Sequence, residues 1–440
     1  MLSVSETAHV EPADLLGRYG SPLYVYDLAR VDRAVADLRQ ALPEGALIHY
    51  SLKANPHPEL VRAMRRNGCL PEICSTGELD SALEAGFRGE DCLYGGPGKT
   101  ADEIGRALAA GVNTFSVESL ADLARVGAQA QRFGVVARCL LRINGQGTGA
   151  GAGLRMTGRP SQFGIDLEDV AVDAQMLTAE GVQVIGLHFF PLTNAADPAG
   201  LIAEVVASVR TAAVLQRRWH LPLRLLDLGG GFAAPYGAPG ERPDYSGLRA
   251  PVEEVLDEEL PGWRNGAPHV SFESGRYLVG DSGSLFCTVT DVKESRGTHF
   301  AVLDTGINHL GGLAGVGRLP PLRAEPLRPE GRPGRPSELG GPVTLTGPLC
   351  TPADVLSRAP RAVPPEPGET LCVPNMGAYG LTASLVGFLS RPAPAEVVVD
   401  GGRVVSAGRL ELRRHPLRCT PGHPGHPGQP GHPGQPGHPE

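Results

Sequence analysis

Polar side chains that could take part in catalysis follow several short apolar segments of this 440-residue chain. Lys53 follows "IHYSL", Arg142 lies near the end of "VVARCLLRIN", and Glu273 follows "HVSF". A lysine amine can form a Schiff base with an aldehyde, and a carboxylate can pair with a protonated ring nitrogen. A lone lysine at a strand end is usually a solvated side chain, so the interpretation depends on the combination. The other residues of this combination are His188 in "GLHFF", Gly229, Gly230 and Gly231 in "LDLGGGF", and Gly275 and Arg276 in "ESGR".

The three consecutive glycines indicate an anion-binding loop. Without side chains, their backbone N–H groups can approach a phosphate closely. Alone, such a run would indicate only a flexible turn. Together with Lys53 and Glu273 it indicates a site for pyridoxal 5′-phosphate (PLP), a cofactor that carries an aldehyde, a ring nitrogen and a phosphate.

The fold has to bring these residues together. From about residue 46, short apolar segments alternate with amphipathic helical patterns, and this alternation predicts a (β/α)8 barrel. The carboxyl ends of all eight strands would then meet at one mouth, where the polar residues would collect. An open doubly wound sheet is the alternative, but nothing divides the repeat into two halves. The predicted strands lie within 46–55, 69–75, 91–96, 113–118, 135–144, 182–190, 223–231 and 269–275.

We assign the predicted barrel to residues 28–280. After it, the alternation of strand and helix patterns ends. Strand-like segments separated by turn residues predict a β-rich domain over 281–420. Residues 1–27 are expected to be extended and to pack with that domain. The Pro- and Arg-rich stretch 318–341 is expected to be a mobile loop. The tail 421–440, built from Pro, Gly, His and Gln, is expected to be disordered, with at most weak metal binding.

Composition restricts the partners and the compartment. The chain has 40 Lys and Arg against 48 Asp and Glu, a net charge of −8, which argues against nucleic acid or an anionic membrane as a partner. The N-terminus lacks the pattern of a signal peptide, and no apolar segment is expected to cross a bilayer. The eight cysteines form no CxxC pair. They are expected to be reduced thiols of a cytoplasmic protein without a metal site.

Over roughly residues 20–415 the chain resembles the fold-type III PLP-dependent decarboxylases, the group that holds the diaminopimelate and ornithine/arginine decarboxylases. The resemblance implies an alanine racemase-like barrel with a β-rich domain, bound PLP, an amino-acid substrate, and a homodimer with shared active sites. The matching stretches are "SPLYVYD", "YSLKAN", "CSTGEL", "GPGKT", "LRIN", "SQFGID", "LDLGGGF", "ESGRYLV", "GPLCTPAD" and "GAYG".

The same resemblance implies a role for each candidate residue. Lys53 would hold the cofactor, Glu273 would keep the ring nitrogen protonated, and Cys350 would protonate Cα after CO2 leaves. Tyr379 would reach the phosphate from the second subunit, and Asp354, like Cys350, would come from the partner chain to face the substrate. Of the remaining residues, Gly230, Gly231, Gly275 and Arg276 would hold the phosphate, Arg142 and His188 would surround the cofactor, and Arg276 and Tyr379 would also contact substrate.

Several of these residues have simpler explanations that the sequence leaves open. "CTPAD" would also suit a helix start, with Thr351 as N-cap and Asp354 in the first turn. Cys350 could be a core thiol, although it follows a predicted strand end, which favours catalysis. Glu273 could form an ion pair with Arg276. Tyr379 could be ordinary packing.

Three departures from the family pattern bear on the substrate. Phe190 takes the place of the histidine that stacks on the cofactor ring, and Thr193 that of a phosphate-facing serine. Thr351 replaces the glutamate of the "CESxD" motif of diaminopimelate decarboxylases, which argues against diaminopimelate as the natural substrate. The glycine-rich loop 145–153, a possible lid or open mouth, and "SQFGID" resemble a branch associated with secondary-metabolite and exopolysaccharide gene clusters.

That branch includes a decarboxylase acting on glutamate tethered to a carrier protein. The expected reaction is therefore decarboxylation of an amino acid that is either free or carrier-tethered. Diaminopimelate decarboxylation and an amino-acid racemase on the same fold are the alternatives. Glu273 and Cys350 argue against the racemase. A non-catalytic PLP carrier ranks last, because such carriers lack the second domain.

Overall fold

The computed structural model describes residues 10–145, 154–155, 158, 160–167, 178–311, 342–359 and 364–415. The chain divides into two units, Met1–Leu410 and Glu411–Glu440, and all elements named below lie in the first unit. Most of the predicted glycine-rich loop, the stretch 318–341 and the tail fall outside the described residues. The predicted domain boundaries stay a prediction.

Strands and helices alternate over the first two thirds of the chain, and strands dominate the rest. The helices are α1 Pro12–Tyr19, α2 Leu28–Ala41, α3 Pro58–Arg66, α4 Thr76–Glu84, α5 Ala101–Ala109, α6 Leu120–Phe133, α7 Pro198–Trp219, α8 Arg249–Glu259 and α9 Arg276–Val279. The strands are β1 Leu23–Asp27, β2 Leu47–Ser51, β3 Leu70–Ile73, β4 Leu93–Tyr94, β5 Thr114–Val117, β6 Ala137–Asn144, β7 Leu154–Arg155, β8 Ile165–Asp166, β9 Val182–Phe189, β10 Leu192–Thr193, β11 Leu225–Asp227, β12 His269–Ser274, β13 Gly283–Ser295, β14 Thr298–Leu303, β15 Val343–Thr346, β16 Val355–Ala359, β17 Thr370–Val373, β18 Ala395–Asp400 and β19 Arg403–Arg409.

Eight parallel strands close into the predicted barrel, in the order β2, β3, β4, β5, β6, β9, β11 and β12. The β5–β6 pairing, in which Val117 faces Leu141, completes the sheet on one side. The β12–β2 pairing, in which Glu273 faces His49, completes it on the other side. The expectation of a (β/α)8 barrel, made from the alternation of segments, is confirmed.

Local sequence explains why the barrel strands are followed by helices. Ser75, Thr100 and Ser119 each cap the next helix, because their hydroxyls accept a hydrogen bond from the backbone N–H three residues later. Thr100 and Glu103 form a complete capping box. The caps fix the point at which the chain turns away from the barrel mouth. The polar side chains that stand just before them are therefore held at that mouth.

A second, mixed sheet follows in the order β16, β15, β14, β13, β1, β18 and β19, with β17 also paired to β13. The N-terminal strand β1 lies inside this sheet, antiparallel to β13 and parallel to β18. The expectation of an extended segment over residues 1–27 is wrong for Pro12–Tyr19, which is helical. Pro12 occupies the first helical turn, where its missing N–H costs nothing, and Leu15 is buried.

Helix α7 corrects a second expectation. Among the described residues it is long and apolar enough, by length and composition alone, to cross a membrane, whereas the sequence was expected to hold no such segment. Half of its most apolar window is buried in the fold. Leu201, Val205 and Val209 pack into the main hydrophobic core. Its apolar character is thus explained by packing in the fold.

Candidate active site

Lys53 lies just beyond the end of β2, in a single 3-10 turn formed by Leu52–Ala54. Its Nζ is 3.0 Å from Oε2 of Glu72 on β3. The Lys53 side chain is 40% exposed, whereas that of Glu72 is 4% exposed, so the amine stands between a buried carboxylate and the open mouth. Burial lowers the pKa of Lys53, but the negative charge of Glu72 and its neighbours outweighs burial and raises that pKa well above its ordinary value.

A pocket at the barrel mouth collects most of the predicted residues around this lysine. The ends of barrel strands and the loops after them form most of its wall, as a closed barrel predicts, and the loop after β17 of the second sheet adds Tyr379. The lining residues are Ser51, Lys53, Phe190, Thr193, Asn194, Gly231, Phe232, Glu273, Ser274, Gly275, Arg276 and Tyr379.

The loop Gly229–Gly231 leaves no room for side chains. Gly229 and Gly231 have φ values of +68° and +110°. A Cβ on Gly230 would lie 2.5 Å from the Glu273 carbonyl oxygen. A Cβ on Gly275 would lie 2.7 Å from Cβ of Ala54. The backbone therefore approaches the mouth closely on two sides, which forms a cradle suited to a phosphate.

Glu273 is buried on β12 beside His188 of β9, with 3.4 Å between Oε1 and Nε2. The other ring nitrogen of His188 is 2.7 Å from the hydroxyl of Ser116. Burial, followed by the charges of Glu72 and Asp227, raises the pKa of Glu273 well above its ordinary value. Such a carboxylate has a high affinity for a proton, which suits a partner that is itself a proton-bearing nitrogen.

Arg276 does not form the ion pair with Glu273 that its sequence position left open. Within the described residues, the guanidinium lies over the ring of Tyr379, with 4.7 Å between Cζ and the ring centroid. Both residues line the pocket on the side of the glycine cradle. Arg276 can therefore offer its charge to an anion bound there.

Arg142 is held between two aromatic rings at the end of β6. Its Cζ lies 4.8 Å from the ring centroid of Phe163 and 5.6 Å from that of Phe190. Glu118 forms an ion pair with it at 2.8 Å and also accepts a hydrogen bond from the backbone N–H of Gly164. The segment that carries "SQFGID" is thereby fastened to the barrel mouth.

Sequence reasoning missed Glu72, Ser116, Glu118 and Asp227. All four lie on barrel strands or one residue beyond them, and all are buried. A charged residue within a short apolar segment, such as Glu72 in "LPEIC", was the available signal, because burying an unpaired charge is costly. The strand-end argument that selected Lys53 applies equally to Glu118 in "FSVE".

Tyr379 was expected to reach the phosphate from the second subunit, and this expectation is wrong. The tyrosine lines the pocket of its own chain. Its backbone N–H donates to the carbonyl of Ala54 at 2.7 Å, and the side-chain amide of Asn55 donates to the carbonyl of Gly377 at 2.9 Å. These two bonds fasten the loop that carries Tyr379 directly to the turn that carries Lys53.

Cys350 and Asp354 lie on the loop between β15 and β16, and neither lines the pocket of its own chain. Cys350 is exposed. Asp354 is buried, and its carboxylate accepts hydrogen bonds from the N–H groups of Ile307 and Leu349 at 2.9 and 2.8 Å. This geometry gives Asp354 a loop-holding role and does not support the expected contact with substrate.

The alternative of a helix start in "CTPAD" is also wrong. Strand β16 begins at Val355, directly after Asp354. The backbone instead makes a tight turn, in which the N–H of Asp354 donates to the carbonyl of Thr351 at 3.2 Å. Thr351 therefore stands in a surface turn next to Cys350.

The residues present fit pyridoxal 5′-phosphate. The pocket combines a lysine amine at the mouth, a buried carboxylate with a raised pKa, and a cradle in which added Cβ atoms would clash. Lys53 could hold the aldehyde carbon and Glu273 the ring nitrogen. The glycine cradle and Arg276 could hold the phosphate.

Comparisons with known proteins agree with this fit. Residues 28–280 match the family described as pyridoxal-dependent decarboxylase, pyridoxal binding domain. The chain is 31% identical to the L-glutamyl-(BtrI acyl-carrier protein) decarboxylase of Niallia circulans, over 88% of this chain and 91% of that one. It is 31% identical to the diaminopimelate decarboxylase of Pseudomonas fluorescens, over 90% and 91%. The diaminopimelate decarboxylase of Helicobacter pylori, solved in complex with L-lysine, superimposes with a TM-score of 0.75 at 25% identity, covering 89% of this chain and 95% of that one.

Proposed function

Because the chain belongs to the pyridoxal-dependent decarboxylases, we propose that it removes the α-carboxylate of an amino acid as CO2, with Lys53, Glu273 and Cys350 as the principal catalytic residues. The observation that carries this assignment is the pocket in which Lys53 and Glu273 meet the glycine cradle. A racemase on the same fold is not favoured, since the relatives compared here are decarboxylases.

When bound, PLP supplies an aldehyde for the substrate amine and a protonated ring that accepts the electron pair left by CO2. Lys53 would hold the aldehyde carbon, and its amine would be free while a substrate amine occupies that carbon. The Glu72 carboxylate, 3.0 Å from the lysine Nζ, stabilises the protonated form of the free amine. Glu273 keeps the ring nitrogen protonated, which strengthens electron withdrawal at the reacting carbon.

The pocket also controls position and solvent. Gly231, Gly275 and Arg276 line the pocket and would hold the phosphate end of the cofactor. Phe190 stands 5.9 Å from the lysine Nζ, measured to the ring centroid, and offers an apolar face that cannot titrate. Arg142, which is paired with Glu118, supports the Phe190 ring from behind, with 5.6 Å between Cζ and the ring centroid.

We propose that Cys350 acts in the pocket of a second copy of this chain, in a homodimer with shared active sites. The thiol is exposed and does not line the pocket of its own chain. The apolar side chains of Leu385, Phe388 and Leu389 are also exposed. Their segment leads to Arg391, which donates a hydrogen bond to the carbonyl of Pro348, two residues before Cys350. A dimer that buries this apolar segment would deliver Cys350 to the neighbouring pocket.

Mixed dimers test the shared site. Lys53→Ala and Cys350→Ala chains, each inactive or slow alone, should together recover about a quarter of wild-type activity, because half of randomly mixed dimers carry one intact pocket. A mixture with no recovery, despite proven exchange of subunits, would place Cys350 in the pocket of its own chain or outside the reaction.

The substrate is proposed to lack a distal ammonium group. Thr351, next to the exposed Cys350, stands where diaminopimelate decarboxylases carry a glutamate, so a far ammonium would lose its charge partner. The similarity to a decarboxylase named for a glutamyl carrier-protein substrate supports a tethered acyl group as one form of delivery.

A cytoplasmic location is also proposed, supported by the seven described cysteines, all of which are free.

The deciding experiment incubates the PLP-loaded protein with a pool of free amino acids and follows loss of CO2 by mass spectrometry. A parallel reaction offers glutamate attached to an acyl carrier protein. Lys53→Ala serves as the control and should show neither turnover nor the visible absorbance of the bound cofactor. Depletion of diaminopimelate in preference to other substrates would contradict the assignment based on Thr351. Racemisation without loss of CO2 would contradict decarboxylation itself.

A further inference from the structure

A second buried carboxylate, that of Asp227, lies near Glu273 inside the barrel and has no role in the proposed reaction. Asp227 ends β11 and is fully buried. A ring nitrogen of His188, a carboxylate oxygen of Asp227 and a carboxylate oxygen of Glu273 all lie within 4.8 Å of one another. On its far side, Asp227 Oδ2 is 3.6 Å from Nδ1 of the buried His49 on β2. The four side chains thus form a continuous buried cluster behind the pocket.

The two oxygens of Asp227 have different surroundings. Oδ1 accepts a hydrogen bond from the backbone N–H of Gly229 at 2.8 Å, which anchors the start of the glycine cradle. Among the described residues, Oδ2 and the facing Nδ1 of His49 have no hydrogen-bond partner. A neutral amide would anchor Gly229 equally well. The anchoring bond therefore does not explain why this position carries an ionisable group, whose burial is costly.

We propose that Asp227 is a positioning residue for charge: its carboxylate reinforces Glu273 in keeping the cofactor ring nitrogen protonated, and His49 helps to keep that carboxylate ionised from the opposite side. This inference rests on the proposed role of Glu273 at the ring nitrogen. It assigns to the aspartate of "LDLGGG" an electrostatic role in addition to its contact with the glycine loop.

Asp227 is the side chain on β11 that can add negative charge beside Glu273. His188 is held neutral, because burial and the charge of Arg142 lower its pKa well below the ordinary value. Burial raises the pKa of Asp227, although His49 and the Gly229 N–H oppose this, and burial lowers the pKa of His49, although Asp227 opposes that. The other charged groups facing Glu273 are Glu72 on β3, Lys53 beyond β2 and Arg142 on β6.

The expected effect is large enough to measure. Two unit charges about 5 Å apart, at an effective dielectric constant of about 20, shift the pKa of either group by roughly two units. Asp227→Asn keeps the shape and the Gly229 bond but removes the charge. It should lower the pKa of the cofactor ring nitrogen by about one to two units. His49→Gln removes the imidazole that opposes the rise in the Asp227 pKa, so more of Asp227 is protonated and the pKa of the ring nitrogen should fall by a smaller amount.

The measurement loads each protein with a fluorinated pyridoxal phosphate analogue, whose less basic ring nitrogen titrates in an accessible pH range, and follows it by fluorine NMR. Glu396→Gln, a buried carboxylate on β18 away from the pocket lining, is the matched control and should leave the titration unchanged. A shift for His49→Gln that disappears when Asp227→Asn is already present supports the inference, since general damage to the barrel would lower the pKa of the ring nitrogen in both backgrounds.

The outcomes separate this inference from the proposed function. If Glu273→Gln itself leaves the ring nitrogen titration unchanged, the proposed role of Glu273 fails. If Glu273→Gln shifts the titration but Asp227→Asn does not, the role of Asp227 fails while the proposed function stands. A downward shift for His49→Gln that persists in the Asp227→Asn background would show a structural effect and overturn the charge argument. An unchanged titration for His49→Gln alone would remove His49 from it.

Discussion

Replacing Glu72 by glutamine should make Lys53 a faster acceptor of the cofactor. The lysine amine must be neutral to attack an aldehyde, and the Glu72 carboxylate stabilises its protonated form from 3.0 Å. At an effective dielectric constant of about 20, a pair at this distance interacts by about 5.5 kcal/mol, or about four pH units. Because 40% of the Lys53 side chain is exposed, solvent screening reduces this to an expected fall of about two units in the lysine pKa.

The assay follows the visible absorbance of PLP as it binds to the cofactor-free protein, at several pH values. In the wild-type protein the rate should rise with pH, because the raised lysine pKa leaves few neutral amines near pH 8. Glu72→Gln should bind about one hundredfold faster at the same pH, as a two-unit fall in pKa requires. Glu396→Gln controls for the loss of a buried carboxylate. A variant that binds PLP at the wild-type rate, with the same pH dependence, would refute the view that Glu72 sets the charge of Lys53.

Three further outcomes follow from single positions. Cys350→Ala should slow turnover by tenfold or more and release some wrongly protonated product, as seen by mass spectrometry; unchanged kinetics and products would remove the thiol from the reaction. Gly231→Ala should weaken PLP binding about tenfold or more in equilibrium titrations, because φ is +110° and the new Cβ would lie 2.9 Å from the Leu192 carbonyl oxygen. Burial raises the pKa of Glu396 to about 6 from its ordinary 4.5, so urea unfolding should show about 2 kcal/mol of stability that is present below pH 4.5 and lost as the pH rises through 6. Glu396→Gln should abolish this pH dependence, and a persisting one would assign it to other groups.

The barrel could be predicted from the sequence because its signal is local and repeated. The strands are short apolar segments, and those numbered β2, β3, β4, β5 and β9 precede helices that begin with a side-chain cap. The closure of eight strands follows from their number. The strand-end rule also selected Lys53, Glu273 and the glycine cradle, which the structure brings to one pocket. Helix Pro12–Tyr19 was missed because only Leu15 is buried, so its apolar pattern is weak.

The residues that the sequence did not reveal are those whose function depends on a partner distant in the chain. Glu72 is significant because Lys53 stands opposite it, just beyond the end of the neighbouring strand β2, and Asp227 because β11 lies beside β12. Neither pairing has a sequence signature. Tyr379 was assigned to the wrong subunit for a related reason, since nothing in "GAYG" indicates that its backbone bonds to Ala54. Pairing across a closed sheet has to be seen in three dimensions.

The contacts of Asn55 and Tyr379 show how the two sheets share one site. The turn that carries Lys53 belongs to the barrel, whereas the loop that carries Tyr379 follows β17 of the second sheet. Two hydrogen bonds, from Tyr379 to Ala54 and from Asn55 to Gly377, join turn and loop at 2.7 and 2.9 Å. A shift of the second sheet would therefore move the aldehyde-binding and phosphate-facing sides of the pocket together. The distance between a lysine amine and a bound phosphate is thereby kept constant, which a cofactor of fixed length requires.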